Sequence, residues 1–182
     1  MRLYHTSNQE VRSPDVSHGR KNADFGQGFY LTPDREFARR WARADAVVNE
    51  YELDEHGLSC CRFTRDVDWF TYIFQNRRAQ DRLMVDFVAG PIANDTIYET
   101  FGIITSGLLR PEDALRLLRI GPEYRQIALK TEKAVHQLTW LSAERLSEAE
   151  IAQYRQLVAE EEQTYQAMFA AEVERISDGG NT

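Results

Sequence analysis

The sequence has little cysteine: two residues in 182, and they are adjacent (Cys60, Cys61). Neighbouring cysteines rarely bridge each other and lack metal-ligand spacing, so neither a disulfide framework nor a cysteine-based metal site is expected. They are read as reduced and partly buried in a strand. Long hydrophobic runs are missing as well. None approaches the ~20 apolar residues of a membrane span. The opening MRLYHTSNQE has no apolar leader core. The expectation is a cytoplasmic protein with no membrane partner. Histidine is sparse too. His5, His18, His56 and His136 are scattered without paired spacing, so no metal is expected. There is no nucleophile elbow and no P-loop. GQGFY lacks the full glycine pattern and flanking βαβ unit of a dinucleotide fingerprint.

Positive charge is short overall, with a net charge of −7. It is unevenly spread: residues 1–43 hold eight Lys/Arg against five Asp/Glu, and residues 44–182 hold fourteen against twenty-four. A general electrostatic affinity for nucleic acid is therefore disfavoured. A local basic pocket for a phosphate-bearing small molecule near the N-terminal segment is compatible with this balance.

What is present is an ordinary folded composition, 42% hydrophobic and 28% charged, in a chain long enough for one domain with a core. LYHTS begins with a short strand over residues 2–5. GFYLT reads as another. TPDREFARRWARADAVV reads as a helix, with Thr32 as cap, Pro33 at its first position, and Phe37 and Trp41 on one face. A strand, a turn at Gly57 and a second strand follow, then a helix over VDWFTYIFQNRRA. A strand stops at Gly90-Pro91, and a helix and loop are expected over NDTIYETFGIITSG, with Asn94-Asp95 as cap or turn. RPEDALRLLR is a short helix. YRQIALKT is a strand with Ile127 and Leu129 on one face and Gln126, Ala128 and Lys130 on the other. Thr131 caps a short helix, and TWLSAERL closes as a strand. From Ser147 the pattern changes. Ser147 and Glu150 form a capping box. Ile151, Tyr154, Val158, Tyr165, Met168, Phe169, Val173 and Ile176 then fall near helical spacing. The organisation read is an α+β domain over residues 1–146, with an amphipathic helix and short disordered tail over 147–182. The apolar stripe either packs on the domain or pairs with a partner, as a homodimer or an antitoxin complex.

Four motifs occur in order: LYHTS, GRKNADFGQGFYLT, VAGPIANDTIY and QIALKTEKAVHQL. Trp41 follows Tyr30 by eleven residues. Together, over residues 2–142, they resemble a bacterial family of uncharacterised domains placed in the ADP-ribosyltransferase superfamily. The class resembled is the histidine–tyrosine one, typified by diphtheria toxin and the poly(ADP-ribose) polymerases. The resemblance implies two small, mostly antiparallel sheets with a cleft between them and helices around. It implies NAD as substrate, without a metal. It gives His5 a hydrogen bond to a ribose hydroxyl, and gives the Thr6 main chain the pair of bonds that hold the carboxamide. Tyr30 stacks on the nicotinamide, with Trp41 as the opposite wall, because a cationic ring suits an aromatic face. Gly26 and Gly28 allow close backbone approach. Arg20 or Lys21 meets the pyrophosphate.

The late strand departs from the superfamily pattern. Gln126 stands where active transferases generally carry a glutamate, with Glu123 as rival. An amide keeps a hydrogen bond but supplies no charge to an oxocarbenium-like ribose. The implied activity is mono-ADP-ribosylation of a protein or nucleic-acid acceptor, with His5, Tyr30 and Gln126 in the catalytic roles. By analogy, this is the activity of a toxin–antitoxin or phage-defence effector. The alternatives are an NAD- or nucleotide-binding module without turnover and an interaction module acting through the C-terminal helix. Each residue also has a plainer reading: a hydrogen-bonded histidine, core aromatics, a surface glutamine, and a solvated Arg39-Arg40-Arg43 helix face.

Overall fold

The structure is a computed structural model that describes residues 1–79, 81–94 and 109–179. The helix and loop expected over residues 94–107, apart from Asn94, and the tail from 180 lie outside the described residues, Asp95 among them.

The described chain is α+β, with two small sheets and five helices. The first sheet has the order β1-β3-β7, from β1 (Arg2–Ser7), β3 (Val47–Leu53) and β7 (Leu138–Arg145), all antiparallel. The second has the order β2-β6-β5-β4, from β2 (Phe29–Leu31), β6 (Arg125–Leu129), β5 (Phe87–Pro91) and β4 (Cys60–Arg62). Its pairs are antiparallel except β4 with β5. The expected turn at Gly57 is present, with φ at +71°. The strands on either side of it, β3 and β4, do not pair with each other: they belong to different sheets.

Period-two alternation places the cores. Ile127 and Leu129 join Phe29, Leu31, Phe87 and Ala89 in a cluster shared with Leu3, Tyr51, Leu53 and Leu138 of the first sheet. This is the layer between the sheets. Ala128 and Val88 face the other way. They meet Trp69 and Ile73 of α2 (Val67–Arg78), Leu117 and Leu118 of α3 (Pro111–Leu118), and Tyr165 and Phe169 of α5 (Glu148–Gly179). On the outer side of the first sheet, Val48 packs with Ala38 of α1 (Arg35–Arg40) and with Ile151 of α5. Among the described residues, no helix is long and apolar enough to cross a membrane.

Helix ends follow local chemistry. Thr131 accepts from Ala134 N–H and starts α4 (Glu132–His136). Ser147 and Glu150 form the expected reciprocal cap of α5. The cap of α1 is a correction. Asp34, not Thr32, accepts from the N–H groups of Glu36 and Phe37. The Thr32 backbone exchanges both of its hydrogen bonds with Tyr4 instead, so it stays extended. The helix is also shorter than expected and ends at Trp41, because Val47 and Val48 are drawn into β3.

The stripe of α5 faces its own domain. Ile151, Tyr165 and Phe169 are buried, and Val173 and Ile176 pack beside them. Leu157 and Met168 are the large apolar side chains that this helix leaves exposed. Of the two readings of this stripe, packing on the domain holds for these residues.

Candidate functional site

The two sheets touch through β1 and β2. Among the described residues, their backbone link is a single antiparallel bridge, Tyr4 with Thr32, closed by Tyr4 N–H to Thr32 O (2.8 Å) and Thr32 N–H to Tyr4 O (2.9 Å). Beyond it the strands part. In an antiparallel strand, residues i and i+2 turn their main-chain groups to the same side. Tyr4 points its N–H and C=O away from β3 to reach Thr32, so Thr6 points its own pair to that same side, past the bridge. The ladder with β3 does not use them. The Thr6 hydroxyl is engaged elsewhere, donating to Ala38 O.

His5 lies between these two residues with its side chain on the opposite face. Its ring packs on Phe29, with centroids 4.5 Å apart. Its Nδ1 lies 2.8 Å from Tyr30 O. A carbonyl oxygen only accepts, so Nδ1 carries the proton in this bond. Burial lowers the His5 pKa from the ordinary value, with the Tyr30 bond opposing. The ring is therefore neutral near pH 7, and Nε2 bears a lone pair. No described residue bonds to Nε2. The result, among the described residues, is a fixed hydrogen-bond acceptor one residue along the strand from a main-chain donor–acceptor pair without a backbone partner.

Tyr30 is fixed differently. Its hydroxyl accepts from Phe25 N–H (2.9 Å) and donates to Gly26 O (2.7 Å). Burial raises its pKa, and the charge of Asp24 adds to this. The hydroxyl thus braces the glycine turn, and the ring is half-buried against the helical side of the second sheet. The side chains of His5 and Tyr30 do not meet. They are joined through the Tyr30 carbonyl.

The glycines serve the chain's own packing. Gly26 adopts φ +76°, and a Cβ there would lie 2.5 Å from the Asp81 carboxylate. A Cβ on Gly28 would lie 2.5 Å from Leu129 O. The close approach expected of a ligand is made here by protein atoms.

Gln126 is part of a buried polar cluster. Its amide donates to Asp24 Oδ2 at 3.1 Å. The same oxygen accepts from Ala93 N–H (3.1 Å), and Oδ1 pairs with Arg77. Asp24 is 4% exposed and Arg77 13%, so this ion pair is inside the fold. Asn76 donates to Asp24 O at 3.0 Å. Sequence reasoning missed Asp24, although it sits inside the motif DFGQGFY. An aspartate before a buried phenylalanine was the available signal, but its partner lies 53 positions away. The rival Glu123 is exposed and pairs with Arg125 at 2.9 Å.

Trp41 caps the C-terminus of α1 and is 41% exposed, set edge-on to Phe37 at 5.9 Å. The reading as a core aromatic does not hold for it. Arg20 is exposed on the loop, without a hydrogen bond or ion pair among the described residues, and near enough for its charge to act on the Tyr30 phenol. Arg39 and Arg40 are not a solvated face. Arg39 pairs with Glu144 at 2.8 Å and Arg40 pairs with Glu161. Asn94 is fully buried and donates to Ile120 O, so it ties the end of β5 to the loop after α3.

An open cavity of about 760 Å³ lies beyond the glycine turn, lined by Lys21, Gln27, Arg77, Asp81, Met84 and Lys130 among others. Burial pulls the Lys130 ammonium down to about 8, even though it pairs with Asp81. The buried charges of this cavity are matched by protein partners, Lys130 by Asp81 and Arg77 by Asp24, and His5 does not line it. The candidate site is therefore placed at the parting of the sheets. Among the described residues, no group of three or more His, Cys, Asp or Glu is placed to hold a metal.

Comparison with known proteins gives a family but no assigned activity. No curated protein matches the chain. The family described as "Protein of unknown function (DUF3990)" matches residues 1–140, which span every strand and helix from β1 to α4 and most of the polar groups above. The chain belongs to this DUF3990 family.

Proposed function

We propose that the chain binds NAD where its two sheets part, and moves one ADP-ribose unit to a macromolecular acceptor with release of nicotinamide. The observation that carries this reading is the His5 Nδ1 bond to Tyr30 O, which leaves the lone pair on Nε2, one residue from the Thr6 main chain that has no backbone partner among the described residues. A carboxamide has one acceptor oxygen and an NH₂ donor, and a main-chain N–H and C=O on one side match both. A ribose hydroxyl donates to Nε2. The pyridinium ring is cationic, and the exposed indole of Trp41 offers it a π-face. Arg20 meets the pyrophosphate. The split-sheet plan in this reading is that of the ADP-ribosyltransferases, which the sequence motifs resemble.

In the transfer, the bond from ribose C1′ to the nicotinamide nitrogen breaks, and nicotinamide leaves neutral with the electron pair. An acceptor nucleophile forms the new bond to C1′ and gives its proton to solvent. Binding without turnover is the second reading. It is favoured by one observation, the engagement of the Gln126 amide with Asp24 rather than the open gap.

The test is nicotinamide release from NAD, in buffer and in cell lysate, by wild type beside His5→Ala. Release that His5→Ala abolishes supports transfer. NAD binding without release in either condition leaves the binding module. Folded wild type that neither binds nor cleaves NAD contradicts both readings.

A further inference from the structure

The family match ends at residue 140, before α5 begins, yet α5 reaches back to the candidate site. One side chain makes the connection. The Glu161 carboxylate accepts from the Tyr124 hydroxyl at 2.9 Å on both oxygens and pairs with Arg40. Arg40 is in α1, and its guanidinium lies over the Tyr124 ring, 5.0 Å from the centroid. The other contact of that ring is Phe37, stacked at 4.3 Å and 12°. Phe37 in turn holds Trp41 edge-on. Tyr124 O accepts from Ile92 N–H, which extends the ladder of β5 and β6 by one step, and Gln126 is two residues further along. One carboxylate on α5 thus fastens the helix that carries Trp41 to the strand that carries Gln126.

We propose that Glu161 is a positioning residue: from a helix beyond the family match, it sets the placement of Trp41 relative to β6 and so completes one wall of the candidate site. The rest of the interface has a different character. Tyr165 and Phe169 bury apolar surface against α3 and the second sheet, and Ile151 packs in one cluster with Ala38 and Ala42; these contacts attach the helix without directional bonds. Arg116 to Glu172 likewise ties α5 to α3. Glu161 differs because it meets two elements at once and does so with charge-assisted bonds, which hold direction as well as distance. Tyr154, which donates to Glu36 at 2.6 Å and accepts from Arg39 at 3.3 Å, adds a second tie from α5 to α1, at residues further along the chain from Trp41 than Arg40.

The part of this proposal that concerns ligand affinity rests on the NAD reading above, so the experiment uses two independent readouts. The full chain is labelled with 5-fluorotryptophan, which reports on Trp41, Trp69 and Trp140 separately by fluorine NMR, with Trp41→Phe as the assignment. Glu161→Gln is compared with Glu162→Gln, its neighbour on the same helix. The expected result is a shifted or broadened Trp41 signal in Glu161→Gln, unchanged Trp69 and Trp140 signals, and no change in Glu162→Gln. NAD titration of the same samples gives a dissociation constant raised about tenfold in Glu161→Gln alone, the scale of effect that misplacing a positioned group produces. If Glu161→Gln does not fold, Tyr124→Phe removes the hydrogen bonds between Tyr124 and Glu161 from the other side. An unmoved Trp41 signal overturns the proposal. So does a moved signal with NAD affinity equal to wild type. A moved signal in a protein whose wild type binds no NAD upholds the positioning of Trp41 and rejects the NAD reading instead.

Discussion

Asp24 and His5 are polar side chains on either side of β2, and the fold treats them in opposite ways. Around Asp24, buried groups satisfy one another: Arg77 and Gln126 from side chains, Ala93 from the main chain. Around His5, one ring nitrogen is tied to Tyr30 O, while no described residue bonds to Nε2 and the Thr6 main chain points past the bridge. The two clusters contain similar residue types. They differ in which atoms are left over. A site is better recognised by unpaired, fixed polar atoms than by the presence of histidine, glutamine or aspartate.

The comparison breaks most visibly at Asp24. Asp24→Ala removes a buried carboxylate that pairs with Arg77, and such losses cost about 3–5 kcal/mol. Urea unfolding monitored by circular dichroism checks this; a loss under about 1 kcal/mol would mean that the cluster is not structural. The attachment of α5 comes next. Phe169→Ala is expected to destabilise by about 3 kcal/mol, while Met168→Ala, its exposed neighbour, stays within about 0.5 kcal/mol. Equal effects would show that the stripe is not packed on the domain. Tyr30→Phe separates ring from hydroxyl. It removes two hydrogen bonds to the glycine turn and is expected to cost about 1–2 kcal/mol. A neutral outcome would free the hydroxyl for another role.

The smallest effect is the pH dependence of His5. Its pKa in the folded state is lowered by burial, below the ordinary 6.5. Below 6.5 the unfolded chain takes up the proton first, so the stability contributed by neutral His5 is complete above that pH. It declines as pH falls toward the folded value. His5→Gln is therefore expected to flatten the stability profile between pH 7 and pH 5, as measured by thermal unfolding across that range. An unchanged profile would place the His5 ring in an environment where its charge costs nothing.

Much of this architecture was legible along the chain. The alternation of Gln126 to Lys130 gave the two faces of β6, because each face meets a different core. The Ser147–Glu150 box and Thr131 gave helix starts, because the bonds involved span three residues. Long-range competition was not legible. Thr32 looks like a cap, but Tyr4, 28 positions earlier, holds its backbone in an extended bridge. β4 follows β3 across a turn, yet it pairs in parallel with β5 in the other sheet. Gln126 and Trp41 were both chosen from sequence, yet the structure ties the first to Asp24 and leaves the second exposed. Nothing local distinguishes those outcomes: Asp24 lies 102 positions from Gln126 and is itself held by Arg77 of α2.

The most direct test of the account is an isothermal titration of NAD into wild type, His5→Ala and Asp24→Asn, each first shown to be folded. The account predicts binding by wild type, loss of about tenfold or more in affinity for His5→Ala, where a fixed acceptor is removed, and a much smaller loss for Asp24→Asn, whose cluster is structural. Equal affinity in wild type and His5→Ala, or no binding by folded wild type, would contradict it.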